Sequence, residues 1–151
     1  MSSEFEFVTT TDKPALLALT TPELFDTAKA ALDQLGYKMH VAENHGEFLH
    51  KFNQITYQVV IIEECFNCQS PEENESLLIL QRLPMNQRRH TAVVLFGFSM
   101  ATFNPIQAFQ CGVHAVVNPS EMFLLIQLIQ KAVADNDLFL QTFRSFQRKL
   151  G

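Results

Sequence analysis

Short runs of β-branched and other apolar residues alternate with longer amphipathic segments along the chain. The longer segments place apolar side chains at helical spacing, and strands that alternate with helices are typical of an α/β fold with a parallel sheet. Because crossovers between parallel strands are right-handed, helices must cover both faces of such a sheet. The predicted strands are the five apolar runs, residues 15–19, 39–41, 59–62, 92–96 and 115–117.

The first strand and the first helix show these signals most clearly. Residues 15–19 are apolar throughout, as expected for a strand covered on both faces. Thr21 and Pro22 then supply an N-cap and a proline at the first helical position, and Gly36 predicts the end of the helix. A long polar loop follows the third strand. Sites in parallel sheets lie beyond the carboxyl ends of the strands, so this loop borders the predicted functional edge.

The chain divides into three parts. We predict an N-terminal tail over residues 1–12, one α/β domain over 13–134 and a C-terminal helical extension over 135–151. A helix over 138–150 would be marginal on its own, so we expect it to dock on its domain or on a partner. Its apolar residues follow one another at spacings of 4, 3 and 4, a narrow seam like that of a coiled coil, and they are Phe139, Phe143, Phe146 and Leu150.

Composition and charge exclude several classes of function. The 151 residues suffice for one domain with a hydrophobic core that needs no disulfide or metal. A net charge of −5 provides no basic field for nucleic acid or anionic lipid. No apolar run approaches the roughly 20 residues that a membrane span needs, and the first residues do not resemble a secretory signal. Three cysteines without disulfide spacing favour a reducing, cytoplasmic location.

Cys65 and Cys68 form a C-x-x-C pair in the loop after the third strand. The pair is either a redox switch, half of a zinc site, or two loop cysteines without a chemical role. A structural zinc site needs about four ligands, and the chain has no second C-x-x-C pair, so we expect no metal there. No glycine-rich phosphate loop follows any predicted strand, so we expect no nucleotide or flavin cofactor.

Three stretches resemble the receiver domains of response regulators, and the resemblance covers residues 14–134. Residues 32–46, LDQLGYKMHVAENHG, are similar to the family's first helix end, second strand and Asn-Gly turn, with one residue inserted. QVVIIE at 58–63 resembles the third strand, which ends in the phosphorylated aspartate, and GVHAVVNP at 112–119 resembles the fifth, which ends in Lys-Pro. The resemblance implies a flavodoxin-like, doubly wound five-stranded parallel sheet with strand order 2-1-3-4-5, followed here by the C-terminal helical extension.

The chain departs from the family at every reactive position. The family's two acidic Mg²⁺ ligands, its phosphoacceptor aspartate, its strand-four hydroxyl and its strand-five lysine correspond in that order to Leu19 and Thr20, Glu63, Phe96 and Asn118. The aromatic residue that couples phosphorylation to the far face corresponds to Ala115. We expect the large ring at 96 to fill the space that the small residue at 115 leaves.

These departures predict a pseudo-receiver without phosphoryl chemistry. Mg²⁺ needs hard oxygen ligands, which Leu19 cannot offer, and phosphoryl transfer needs cations that offset the charge of the transferred group. We therefore predict a non-enzymatic protein–protein interaction module in signal transduction, without cofactor or metal. Two alternatives stay open: a receiver that responds to another input, such as thiol oxidation at Cys65 and Cys68, or weak phosphoacceptor activity at Glu63.

The predicted interaction surface lies on the last helix of the domain and on the extension. Leu124 and Leu128 lie on one flank of that helix and widen its apolar stripe beyond what one sheet face needs, unless a loop or the extension covers them. In the family that helix belongs to a surface used for dimerisation and partner docking. Together with the seam of Phe139, Phe143, Phe146 and Leu150, it would bind a protein partner or a second copy.

Overall fold

A computed structural model describes residues 13–88 and 90–136 of the chain, except the side chains of residues 85 and 86. It contains one five-stranded parallel sheet with strand order β2-β1-β3-β4-β5, so the predicted fold class is confirmed. The strands are β1 (Pro14–Ala18), β2 (Lys38–Val41), β3 (Val59–Glu63), β4 (Ala92–Phe96) and β5 (Ala115–Val117).

Helices cover both faces of the sheet. They are α1 (Pro22–Gln34), α2 (His45–Gln54), α3 (Glu75–Gln81), α4 (Met85–Arg88), α5 (Pro105–Gln110) and α6 (125–136). Two 3₁₀ helices, Pro71–Glu73 and Pro119–Leu124, precede α3 and α6. None of the helices in the described part of the chain is long and apolar enough to cross a membrane.

The core has one layer on each side of the sheet. Helices α1 and α6 pack on one face, where they bury Leu24, Leu32, Leu125 and Ile129 among others. Helices α2, α3 and α5 cover the other face, with Phe48, Leu77, Leu80 and Ala108. The three central strands β1, β3 and β4 are buried along their whole length, which explains their continuous apolar sequences.

Asparagines begin the helices that follow β2, β3, β4 and β5. The side-chain oxygen of each accepts a backbone N–H from the first turn, which satisfies a donor that has no partner within the helix. These N-caps are Asn44, Asn74, Asn104 and Asn118. Thr21 occupies the N-cap position of α1 as predicted, but its side chain makes no capping bond. The N-terminus of α1 instead meets a carboxylate from another strand.

Candidate functional site

An open hollow of about 270 Å³ lies at the carboxyl edge of the sheet, where β1 and β3 diverge into their loops. Three parts of the chain contribute to it: the β1–α1 turn, the end of β3 and the β4–α5 loop. The residues that line it are Thr20, Thr21, Leu24, Glu63, Glu64, Cys65, Phe96, Gly97, Phe98 and Pro119. Of the five positions that the resemblance to receiver domains singled out, Thr20, Glu63 and Phe96 line this hollow, and Leu19 and Asn118 do not.

Glu63 ends β3, and its carboxylate is bound by the β1–α1 turn. Oε1 accepts the backbone N–H groups of Thr20 and Thr21, each at 2.7 Å. Oε2 accepts the hydroxyl of Thr21 at 3.1 Å. The side chain is only 8% exposed, so little water competes for these charge-assisted bonds. Glu63 thus satisfies the turn before α1, where Thr21 itself makes no cap.

Glu64 is held by a different loop. Its backbone N–H donates to the carbonyl of Phe96, and its carboxylate accepts the hydroxyl of Ser99 at 2.9 Å. A Cβ at Gly97 would lie 2.4 Å from Oε1 of Glu64, so this carboxylate occupies the space that a side chain would need. The two adjacent carboxylates therefore bind separate partners, and they do not form a chelating pair.

The other positions that the resemblance singled out are packed or hydrogen-bonded at this edge. Leu19 and Phe96 are buried in the core layer under α1 and α6. The hydroxyl of Thr20 accepts the N–H of Asn67 at 3.0 Å, which joins the loops after β1 and β3. Asn118 caps the following 3₁₀ helix and donates from its amide to the carbonyls of Phe98 and Met100. In the described residues, no group of three or more His, Cys, Asp or Glu side chains is placed to hold a metal ion.

Phe96 and Ala115 lie on the same face of the sheet, since Ala115 packs against the core layer that contains Phe96. The strand register places Phe96 opposite Val117 and Ala115 opposite Val94. Phe96 lines the hollow at the carboxyl edge, whereas Ala115 lines a separate hollow of about 130 Å³ between α5 and α6. The ring and the small residue are diagonal neighbours, two register positions apart on adjacent strands, a separation that an aromatic side chain can span; compensation between them stays a prediction.

Cys65 and Cys68 are partly exposed free thiols in the turn after β3. Burial and the neighbouring carboxylates, Glu64 first, raise the pKa of Cys65. Burial and the proximity of Cys65 raise the pKa of Cys68. Reactive cysteines need the thiolate form, which these surroundings disfavour at neutral pH. The arrangement thus gives less support to the redox interpretation.

Protein purified without chelator is expected to contain no stoichiometric zinc, because the C-x-x-C pair offers two ligands where a structural site needs about four. Metal analysis of the wild type and of Cys68→Ser tests this, with Cys111→Ser as a control outside the pair. A full equivalent of zinc, lost together with stability in Cys68→Ser alone, would contradict it.

Leu128 is not part of an exposed surface. It is completely buried in the layer under α6, together with Leu125 and Ile129. Leu128 lies one turn after Leu125 and one turn before Ala132 on α6, so it shares their buried face. Leu124 is partly exposed. The seam of Phe139, Phe143, Phe146 and Leu150 lies outside the described residues.

The sequence interpretation missed a set of exposed apolar side chains on and around α5. A sequence signal was available: residues 91–120 contain no Asp, Glu, Lys or Arg. These side chains belong to two segments, residues 98–109 and 118–123. Two hydrogen bonds join the segments, one from the Thr102 hydroxyl to the Glu121 carboxylate and one from the Asn118 amide to the Phe98 carbonyl. This apolar surface consists of Phe98 (78% exposed), Phe103 (38%), Ile106 (67%), Phe109 (86%) and Phe123 (79%).

Neither protein-family models nor curated proteins match the chain. Solved structures do. A response regulator from Thermotoga maritima is 17% identical over 82% of this chain and 98% of its own, with a TM-score of 0.63. A CheY-like response regulator receiver domain protein from Methanospirillum hungatei is 16% identical over 84% of this chain and 98% of its own, with a TM-score of 0.63. The third is the receiver domain of a sensor histidine kinase from Pseudomonas aeruginosa, with magnesium in its active-site cleft. It is 15% identical over 82% of this chain and 99% of its own, with a TM-score of 0.60.

The chain has the receiver-domain fold. At these identities the likeness establishes the fold alone, and the chemistry has to come from the residues present. The hollow at the carboxyl edge contains the Glu63 carboxylate at the end of β3, and that carboxylate is bound by the chain's own N–H and hydroxyl groups.

Proposed function

We propose that the chain is a pseudo-receiver, a protein–protein interaction module in signal transduction that does not accept phosphate. Its receiver fold and the response regulators among its structural neighbours support the signalling context. The observation that carries the proposal is the binding of the Glu63 carboxylate by the β1–α1 turn.

A phosphoacceptor carboxylate must present a free oxygen to the incoming phosphorus. Oε1 of Glu63 accepts two backbone N–H groups, and Oε2 accepts the Thr21 hydroxyl. Phosphorylation would have to break some of these bonds, each worth about 1.5–3 kcal/mol when one partner is charged. It would also leave backbone donors of the β1–α1 turn without an acceptor in a part-buried place.

The hollow also lacks the positive charge that phosphoryl transfer needs. No lysine or arginine occurs among its lining residues, and Leu19 is buried where an acidic Mg²⁺ ligand would be needed. Glu63 and Glu64 bring two further negative groups to the edge. Charge on the transferred phosphoryl oxygens would therefore meet carboxylates without the cations that normally offset it.

Incubation with acetyl phosphate and Mg²⁺ is expected to leave the mass of the intact protein unchanged. An authentic receiver domain treated in parallel shows that the phosphodonor is active, and Glu63→Gln shows whether any added mass depends on this side chain. A phosphoryl adduct on the wild type that is absent from Glu63→Gln would refute the pseudo-receiver and support weak phosphoacceptor activity at Glu63.

We infer that the interaction surface is the apolar surface around α5. We propose that the seam of Phe139, Phe143, Phe146 and Leu150, which follows later in the sequence, also takes part. The depletion of charge over residues 91–120 supports this, because the buried centres of protein interfaces are poor in charged residues and rich in aromatic ones. Large exposed apolar patches on a protein surface mark interaction sites.

A further inference from the structure

A second hollow, of about 130 Å³, lies beside β5, the last strand in the order of the described sheet. Small side chains from three elements leave it open: Ala108 of α5, Ala115 of β5 and Ala132 of α6. A cavity of about 150 Å³ with apolar walls holds a benzene ring, so this hollow is close to the size of one phenyl side chain. An occupant that carries an aromatic side chain would therefore fit it.

The described part of the chain ends at this hollow. Asp135 lines it, and Asn136, the last described residue, forms a hydrogen bond with His114, which also lines it. Residues 137–151 follow directly in the sequence. They contain the seam of Phe139, Phe143, Phe146 and Leu150. The aromatic seam therefore begins within a few residues of a hollow that fits one of its rings.

We propose that residues 137–150 turn back and dock on their own domain as a helix, with the seam over the hollow beside β5 and the ring of Phe143 inside it. The inference goes beyond the proposed function, because it gives the hollow an occupant within the same chain, whether or not a partner binds. Docking there would enlarge the apolar surface around α5, since Phe103 belongs both to that surface and to the lining of the hollow.

The length of the segment suits this position. A helix over 138–150 is about 20 Å long at 1.5 Å per residue. The five-residue strand β4, which pairs with β5, spans about 16 Å from one edge of the sheet to the other. Aspartate is a preferred N-cap, so Asp137 can begin the second helix of an antiparallel pair with α6. The segment is thus long enough to cover the hollow from end to end.

The spacing of the seam places its rings level with the hollow. In an antiparallel pair of helices, residues equally far from the turn lie side by side, because both helices have the same rise per residue. Leu128 and Phe146 each lie nine residues from Asp137. Ala132 lies five residues from Asp137, and Phe143 lies six residues from it. Leu128 and Ala132 both line the hollow, so two rings of the seam come level with its α6 wall.

The charges at the two ends of β5 favour the same direction of the segment. Arg88 is fixed beside the start of β5, and the β4–α5 loop near its end binds the carboxylates of Glu64 and Glu121. The segment begins with Asp137, and its second half contains three basic residues, Arg144, Arg148 and Lys149. A helix that runs from the start of β5 toward its end therefore brings opposite charges together at both ends.

Tryptophan fluorescence of the full chain tests where the seam lies, because the chain contains no tryptophan. Phe143→Trp introduces a single fluorophore into the seam. Its emission should lie at shorter wavelength than in the urea-unfolded protein, and acrylamide should quench it severalfold less. Neither quantity should change with protein concentration. Phe109→Trp is the exposed control, since Phe109 is 86% exposed, and its emission should resemble that of the unfolded protein.

Filling the hollow connects this signal to the proposed site. Ala115→Leu, combined with Phe143→Trp, should move the emission to longer wavelength and increase the quenching, because the leucine takes the space of the ring. Ala101→Leu is the matched control, since it adds the same side chain at an exposed alanine that does not line the hollow. Unaltered far-UV circular dichroism and cooperative urea unfolding of each variant would show that the domain remains folded.

A double-mutant cycle gives a second readout that needs no fluorophore. Phe143→Ser should lower the urea midpoint of the wild type by the same amount at every protein concentration. It should lower the midpoint less in the Ala115→Leu background, because the filled hollow has already excluded the ring, and residues in contact have non-additive effects on stability.

Three outcomes would overturn the inference. Emission of Phe143→Trp that matches the unfolded protein would place the seam in solvent. Burial of the fluorophore that rises with protein concentration would mean that the seam packs on a second copy. Burial that Ala115→Leu leaves unchanged, with additive effects in the cycle, would place the seam elsewhere on the domain. None of these results affects the phosphodonor experiment, so the proposed absence of phosphate uptake stands or fails separately.

Discussion

Glu63→Ala is expected to lower the free energy of unfolding by about 2–4 kcal/mol. The substitution removes the acceptor of two backbone N–H groups and of the Thr21 hydroxyl. Glu63 is 8% exposed, so water can replace these bonds only in part. Unsatisfied donors would remain at the turn before α1, whose N-cap makes no side-chain bond of its own.

Urea denaturation followed by circular dichroism measures this effect, with an unchanged m value showing that the two-state comparison holds. Glu64→Ala is the matched control: it removes the adjacent carboxylate, for which the structure gives one side-chain bond, to the exposed Ser99 hydroxyl. It should cost no more than about 1 kcal/mol.

Glu63→Gln keeps an acceptor oxygen but loses the charge, so its stability should fall between those of the wild type and Glu63→Ala. Equal stability of the wild type and Glu63→Ala would mean that the carboxylate is free in solution, which would favour the phosphoacceptor alternative.

The fold was accessible from the sequence because the central strands are unambiguous. Residues 59–62 are apolar on both faces, and in the structure β3 lies between β1 and β4 with every residue buried. The strand order came from the resemblance to receiver domains, since the apolar pattern alone does not say which strands are neighbours.

The state of the candidate site was less accessible. The sequence placed a glutamate at the end of the third strand, but the groups that bind it lie 42 and 43 residues earlier in the chain. Only the pairing of β1 with β3 brings the β1–α1 turn to that carboxylate. Long-range hydrogen bonds of this kind leave no local pattern in a sequence.

The assignment of the interaction surface failed at one residue for a local reason. Leu128 was placed on a flank beside the apolar stripe of the last helix, whereas in the structure it belongs to the buried stripe itself, together with Leu125 and Ile129. Residues three and four apart share one face of an α-helix, so periodicity alone does not fix the margin of a stripe. The exposed residues of α5 were hidden for a different reason, because Ile106 and Phe109 resemble core positions when only periodicity is considered.

Acid is expected to weaken the fold through His114, near the start of β5. Nδ1 of His114 accepts the backbone N–H of Val93 at 2.9 Å, which requires an unprotonated nitrogen. Burial, and then the positive charge of Arg88, lower the pKa of His114 from 6.5 to about 4, while a hydrogen bond with Asn136 acts in the opposite direction. Arg88 is itself fixed beside β5, since its guanidinium donates to the carbonyl of Gly112 at 2.7 Å.

The sign of the pH dependence follows from this lowered pKa. Between pH 6.5 and about 4 the unfolded chain binds a proton on His114 that the folded protein excludes, so stability falls as pH falls through this window. The contribution is fully present above pH 6.5, and its loss by pH 4 amounts to about 3 kcal/mol.

His114→Asn replaces the acceptor nitrogen by an oxygen that does not titrate, so urea midpoints measured from pH 7.5 to 4.5 should fall less steeply in this variant. All groups other than residue 114 are the same in both proteins, so their contributions cancel in the comparison. His90→Asn, at an exposed histidine, should keep the wild-type slope. Equal slopes for the wild type and His114→Asn would show that the imidazole can take up a proton in the folded protein, which the bond to Val93 and the nearby guanidinium oppose.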